Sequence, residues 1–210
     1  MKKAKKILLL VLCAALLVSA SVMGTLAYLT AQTGPITNTM SVGNVAITMD
    51  ETDVTLYGVK DTDGRVTAND YKLIPGHTYL KDPTIHVTTG SEDCWLFVKI
   101  VNEIETIEDG KARYDANDPA ETIYTIAGQL EKNGWTICDA QNNIWGKTES
   151  AKAGDDVKVF ESFKIQGIAD VAGYDNATIK VTAYAIQKDG FNSAQDAWNT
   201  ALAAGHFSNP

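Results

Sequence analysis

Apolar and polar residues alternate along most of this chain, and short polar turns interrupt the alternation. The strongest such segment is 94–101, CWLFVKIV. Residues two apart on a strand point to the same side of it. One side of this segment carries Leu96 and Val98, and the other side carries Trp95 and Phe97. A strand that is apolar on both sides lies centrally in a sheet or beneath another element.

The same alternation predicts several more strands, which are bounded by glycine, proline, aspartate and asparagine. The segments 61–64 (DTDG) and 75–76 (PG) are predicted to be turns. Residues 135–138 and 143–145 are expected to form a hairpin. Further strands are predicted at 41–50, 54–59, 82–89, 157–165 and 177–186.

Two short helices are predicted from their capping residues. Asp118 can cap the first helix, Pro119 suits its first position and Glu121 completes a capping box. Ser193 and Asp196 form the same kind of box near the C-terminus. About eight or nine strands with two short helices predict an all-β fold, and we expect a jelly-roll-like β-sandwich.

The beginning of the chain has the pattern of an export signal. Four lysines precede an apolar run over 7–18, small residues follow, and the next charged side chain is Asp50. Small residues at the −3 and −1 positions allow cleavage after Ala20 or after Ala27. The alternative is an uncleaved anchor, because 7–29 is long enough to cross a bilayer. Polar residues in its second half, and the lack of a basic stop-transfer cluster, favour cleavage.

The charge balance limits the partners of the mature protein. Loss of residues 1–27 removes four lysines and no acidic residue, which changes the formal net charge from −8 to −12. So acidic a surface repels phosphate backbones, and we expect no nucleic-acid partner. The predicted organisation is a signal peptide (1–27), an extended mature segment (28–41) and one β-sandwich domain (42–210). Membrane contact is expected only through the uncleaved precursor.

Two cysteines remain after the predicted cleavage, Cys94 and Cys138. In an oxidising environment an even pair can form a disulfide. Both residues also lie in apolar, strand-like segments, which favours two buried thiols instead. The sequence leaves both alternatives open.

No motif predicts a catalytic or metal site. The three histidines are His77, His86 and His206, and no His-Glu-x-x-His pattern is present. The turn predicted at 61–64 resembles a fragment of a calcium loop, but Arg65 takes the place of an oxygen ligand. We expect no cofactor and no bound metal.

The loop after the strongest strand is rich in acidic residues. Two carboxylates can serve a glycosidase, but an acidic loop is more often a solvated surface. We therefore predict solvent exposure for its paired acids, which are Glu103, Glu105, Glu108 and Asp109.

Several short motifs resemble the TasA/camelysin family of Gram-positive surface and biofilm-matrix proteins. The junction at 24–28, GTLAY, and the phrase at 40–47, MSVGNVAI, are similar to the start of those precursors. The turns at 73–76 (LIPG) and 89–91 (TGS) fit the same pattern. The closing run at 183–198 is similar to the end of clostridial-type members.

The resemblance implies cleavage between Ala27 and Tyr28 by a SipW-type signal peptidase. It also implies a jelly-roll subunit that polymerises into extracellular fibres, with further copies and an accessory matrix protein as partners. In such fibres the mature N-terminal segment adds as a strand to the next subunit. Segment 28–41 is uncharged, so it can pair with an exposed sheet edge. The candidate anchors are Tyr28, Leu29, Ile36 and Met40.

We therefore expect a secreted structural protein of the cell surface or matrix, without catalytic activity. A monomeric surface protein with a disordered or self-packed N-terminus is one alternative. A carbohydrate- or host-binding module is another, which exposed tryptophans among Trp95, Trp135 and Trp145 would favour. A camelysin-like extracellular metallopeptidase is the third.

Overall fold

The computed structural model describes residues 3–8, 10–16 and 44–206. The chain divides into two compact units, 1–42 and 43–210. In the first unit the described residues are helical and exposed (α1). Within the described ranges, no helix is both long and apolar enough to span a bilayer. The predicted cleavage site and segment 28–41 lie outside the described residues.

The second unit is built mainly from antiparallel β-sheet, which confirms the all-β class. Its strands are β1 (Ile47–Val54), β2 (Lys60–Val66), β3 (Thr78–Leu80), β4 (Thr84–Val87), β5 (Cys94–Asn102), β6 (Trp135–Asp139), β7 (Ile144–Lys147), β8 (Asp156–Lys158), β9 (Ser162–Lys164) and β10 (Ile179–Gln187). Among the described residues they form two four-stranded sheets, in the orders β2-β1-β4-β8 and β10-β5-β7-β6, and one two-stranded sheet, β3-β9. Two helices, α2 (Ile126–Lys132) and α3 (Ala194–Ala203), and one 3-10 turn (Glu105–Ile107) accompany them.

Strand β5 lies inside its sheet, as its two apolar sides predict. It pairs with β10 along nine residues and with β7 on its other edge. Leu96 and Val98 enter the main core, to which both four-stranded sheets contribute. Phe97 lies on the opposite face, where it contacts Trp198 of α3. The domain therefore has a core between its sheets and a smaller core beneath α3.

The predicted cap of α3 and the predicted hairpin are both confirmed. The Ser193 hydroxyl accepts a hydrogen bond from the backbone N–H of Asp196, 3.2 Å away, at the start of α3. Strands β6 and β7 pair antiparallel around the turn at 139–142. In that turn the Asp139 carboxylate accepts hydrogen bonds from the backbone N–H groups of Gln141 and Asn142.

The predictions for the strand at 54–59 and for the turn at 61–64 were both wrong. The turn comes first, because Thr55 N–H donates to the Val59 carbonyl and Gly58 adopts a φ of +66°. The polar residues that follow form β2, which pairs with β1. Every residue of β2 before Val66 is exposed. An outer strand of this kind needs no apolar face, so alternation could not reveal it.

Two further predictions require correction. Helix α2 begins at Ile126 with Thr125 as its N-cap, and its start is therefore later than expected. Asp118 instead contacts the Lys111 ammonium, and it also accepts a hydrogen bond from Tyr124. The single strand predicted at 157–165 is divided into β8 and β9.

Candidate functional site

The outer strands of the two four-stranded sheets differ in how well they are protected from pairing. Strand β2 carries both signs of charge, β8 has three residues, and β6 is contacted by both α2 and α3. Strand β10 is nine residues long; β1 and α3 also contact it, but among the described residues only β5 pairs with it. A long, unpaired edge is a surface to which another strand can add.

A cleft of about 810 Å³ lies beside this edge. One wall of the cleft is formed by β1 and by segment 67–71, which follows β2. The other wall is formed by segment 174–178 and β10. Half-buried apolar side chains line it: Met49, Tyr71, Leu73, Ile179 and Val181. An open strand edge next to a cleft with both apolar and polar lining offers backbone pairing and side-chain pockets to an extended peptide.

Charged and polar groups are also buried along the β1 side of this cleft. Lys81 Nζ donates to Glu51 Oε2 at 2.6 Å, and both residues are at least nine-tenths buried. The Tyr71 hydroxyl donates to the Leu80 carbonyl at 3.1 Å. Desolvation raises the pKa of Tyr71, and the nearby Glu51 and Asp82 carboxylates raise it further. Tyr71 is therefore a neutral hydrogen-bond donor at physiological pH.

His86 is held between two carboxylates on the outer face of the first sheet. Its Nδ1 lies 2.6 Å from Asp156 Oδ1 and its Nε2 lies 2.9 Å from Asp50 Oδ1. Asp50 is also bound by Arg65. The hydrogen bonds to Asp50 and Asp156 raise the pKa of His86, because the imidazolium can donate from both nitrogens. The ring therefore serves as an ion-pair link between β1 and β8.

The described residues contain no group of three histidine, cysteine or acidic side chains that could hold a metal ion. His77 does not join His86, since its Nε2 lies 2.8 Å from the Tyr57 carbonyl. His206 is exposed after the end of α3. The segment 61–64 lies within β2 and forms no calcium loop.

The acidic loop is less exposed than predicted. Glu108 is only 4% exposed, so the prediction of a solvated face was wrong for this residue. Its carboxylate accepts hydrogen bonds from Ile126 N–H at 2.6 Å and from Asn102 Nδ2 at 2.9 Å. Glu103 binds the N–H and hydroxyl of Thr178. Asp109 pairs with a lysine of β9. These acids hold the loop onto the domain.

Burial of Glu108 predicts that the fold is more stable in mildly acidic solution. Desolvation raises its pKa from 4.5 to about 7 despite the two hydrogen bonds. A raised pKa in the folded state contributes stability that is complete below 4.5 and is lost as the pH rises through about 7. The raised pKa of His86 acts in the same direction. We expect urea unfolding to show a loss on the order of 3 kcal/mol between about pH 5 and about pH 8.

Glu108→Gln is the matched variant for this pH dependence, because it keeps the size of the side chain and removes its titration. Its free energy of unfolding should change less with pH than that of the unmodified chain. A stability that is constant or rises over the same interval in the unmodified chain would contradict the expected direction.

The two cysteines are free thiols, so they do not form a disulfide in this structure. Cys94 enters the main core, whereas Cys138 packs with the cluster beneath α3 on the opposite face of the same sheet. Burial raises the pKa of Cys94 to about 11 and raises that of Cys138 as well. Both thiols therefore stay protonated at neutral pH and are weak nucleophiles.

The tryptophans named for the carbohydrate-binding alternative do not line a concave surface. Trp95, Trp135 and Trp145 are between 1% and 7% exposed. They contribute to the two cores, so these three side chains offer no exposed aromatic surface on which a sugar could stack.

No family model, curated protein or solved structure matches this chain. The resemblance to the TasA/camelysin family stays a sequence-based expectation. The predicted cleavage site (Ala27, Tyr28) and the donor-strand anchors Leu29, Ile36 and Met40 lie outside the described residues. The donor segment stays a prediction, and nothing in the sequence indicated the open edge of β10, because alternation locates a strand without showing which neighbours it has.

Proposed function

We propose that this chain is a secreted structural protein of the cell surface or biofilm matrix, with a jelly-roll-like domain that assembles into fibres. In this proposal segment 28–41 of one copy adds to β10 of the next copy as an extra strand. The observation that carries the proposal is the nine-residue outer edge of β10, to which no described residue pairs and whose first four residues line the cleft.

The donor and the acceptor are chemically matched. A nine-residue strand extends for about 30 Å and presents alternate backbone groups away from its existing partner. Segment 28–41 is uncharged and has the length to pair along that edge. Its apolar side chains would enter the cleft, and Gly34-Pro35 would place a bend between its two halves.

The geometry of such an assembly favours filaments. A strand that leaves one copy and enters a different site on the next makes a head-to-tail contact, which does not close on itself. The sheet β10-β5-β7-β6 would gain a fifth strand, and the cleft would be covered. The similarity of the N-terminal junction to that of SipW-processed matrix precursors supports the same proposal, with the peptidase, further copies and an accessory matrix protein as partners.

Removal of the donor segment tests the proposal. We expect the processed chain, 28–210, to form filaments visible by electron microscopy, and we expect deletion of residues 28–39 to abolish them. Circular dichroism and the urea midpoint of the deleted protein should match those of the unmodified monomer, because the deleted residues precede the domain. Filaments that persist without this segment would rule out strand donation.

A pair of substitutions tests whether the side chain of Ile36 anchors the segment in the cleft. Ile36→Asp places a charge at a predicted anchor, and Thr37→Asp places the same charge at the next position. Adjacent residues of a strand face opposite sides, so only the first should enter the cleft. We expect Ile36→Asp to reduce filament formation much more than Thr37→Asp. Equal effects would indicate that a charge at either position blocks assembly and that Ile36 is not a side-chain anchor.

A further inference from the structure

One buried carboxylate contacts both a lysine amine and an asparagine amide. Glu51 is 5% exposed and Lys81 is 8% exposed. Glu51 Oε2 accepts from Lys81 Nζ at 2.6 Å, and Glu51 Oε1 accepts from Asn69 Nδ2 at 3.0 Å. A buried ion pair contributes little net stability as a rule. These three groups are, however, also able to react with one another.

The Asn69 carboxamide is fixed by hydrogen bonds at both of its ends. Its Oδ1 accepts from the backbone N–H of Val54 at 3.0 Å. Its Nδ2 also donates to the Thr52 carbonyl at 2.8 Å. A backbone N–H directed at a carbonyl oxygen stabilises negative charge that develops on that oxygen. The amide nitrogen, meanwhile, is next to the group that can protonate it, which is Glu51.

We propose that Lys81 and Asn69 become joined by an intramolecular isopeptide bond, with Glu51 as the catalytic proton carrier. The three residues lie on separate elements: Glu51 in β1, Asn69 in the segment after β2, and Lys81 directly after β3. The bond would therefore fasten the segment 67–71 to the end of β3, along one side of the cleft. This inference does not depend on strand donation.

The reaction needs no oxidant, reductant or co-reactant. The Lys81 ammonium passes a proton to Glu51, which leaves a neutral amine and a neutral carboxylic acid. The amine nitrogen attacks Asn69 Cγ, and the negative charge forms on Oδ1 beside Val54 N–H. Glu51 protonates Nδ2, the Cγ–Nδ2 bond breaks, and the former lysine nitrogen loses its remaining extra proton. One ammonium ion leaves, and Glu51 returns to its starting state.

The side chain of Lys81 lies beside an aromatic ring and is largely shielded from water. The Nζ atom lies 5.9 Å from the centre of the Tyr71 ring, and Tyr71 packs edge-on against Phe163. The low exposure of Lys81 and Glu51 limits access of water to the reacting atoms. Positioned groups in a site of low polarity are the general requirement for catalysis by a carboxylate.

Peptide mapping of the full chain tests the proposal. We expect the intact, denatured protein to be lighter than its sequence by one ammonia molecule. Trypsin cleaves after lysine and arginine, so an unlinked chain releases peptides 66–72 and 73–81. The linked chain should instead yield 66–72 joined to 73–99, since Lys81 is no longer a cleavage site. Recovery of unmodified 66–72 from protein that is folded by near-ultraviolet circular dichroism would overturn the proposal.

Three variants identify the groups involved. Lys81→Arg keeps a cation beside Glu51 but cannot form the bond, and Asn69→Ala removes the carboxamide, so both should have their full mass. Glu51→Gln keeps the shape of the proton carrier and should slow the appearance of the linked peptide at least tenfold. A succinimide at Asn69 also loses ammonia, but it would leave cleavage after Lys81 intact. That pattern, or unchanged linkage in Glu51→Gln, would count against the mechanism.

Discussion

Phe97→Ala is expected to lower the free energy of unfolding by about 3–5 kcal/mol. The Phe97 side chain is fully buried on the inner strand β5, with its ring centre 5.1 Å from that of Trp198. Truncation would leave a cavity between the sheet and α3, which a rigid sheet cannot close. Urea unfolding followed by tryptophan fluorescence measures the loss.

Val101→Ala is the control for this substitution, because Val101 lies on the same strand but is 39% exposed. We expect it to cost less than about 1 kcal/mol, since most of the removed surface is already in contact with water. Similar losses for the two variants would mean that α3 does not seal the face of the sheet that carries Phe97.

The elements that the sequence predicted well are those with a local signal. Strand β5 was predicted from its two apolar faces, and its central place in the sheet follows from the same pattern. The start of α3 was predicted because Ser193 and Asp196 form a cap within four residues of chain. Both features depend on neighbours along the sequence, which is why they could be read without a structure.

The elements that were mispredicted depend on contacts between distant residues. Strand β2 has no apolar face, and only its pairing with β1 makes it a strand. Asp118 has the pattern of a helix cap, but Lys111 and Tyr124 bind its carboxylate, and α2 begins seven residues further on than Pro119. Side-chain contacts of this kind override local preference.

The candidate sites show the same division. An uncharged segment can be recognised from composition, whereas the open edge of β10 depends on the order of strands in the sheet. The partners of Glu51 are 18 and 30 positions away, and the N–H bound by Glu108 is 18 positions away. Sequence spacing gives no reason to associate groups that are so far apart in the chain.

Val181→Lys is expected to slow filament elongation about tenfold or more. Val181 is half-buried, packs against the main core and lines the cleft beside the β10 edge. A lysine there would place its ammonium where the apolar side chains of an added strand are to pack. Burying an unpaired charge costs more than the 1.4 kcal/mol that corresponds to about tenfold. Natural sheet edges use inward-pointing charges in the same way to prevent pairing.

Gln187→Lys is the matched control for this effect, because Gln187 is exposed at the end of the same strand and does not line the cleft. Elongation is followed by light scattering and by filament length in electron micrographs, at equal concentrations of monomer. The urea midpoint of each variant shows whether the domain is folded before assembly. If folded Val181→Lys protein elongates as fast as Gln187→Lys protein, strand addition does not take place at β10, even where the donor segment is essential. Retention of assembly after both substitutions would therefore place the acceptor on a different edge of the domain.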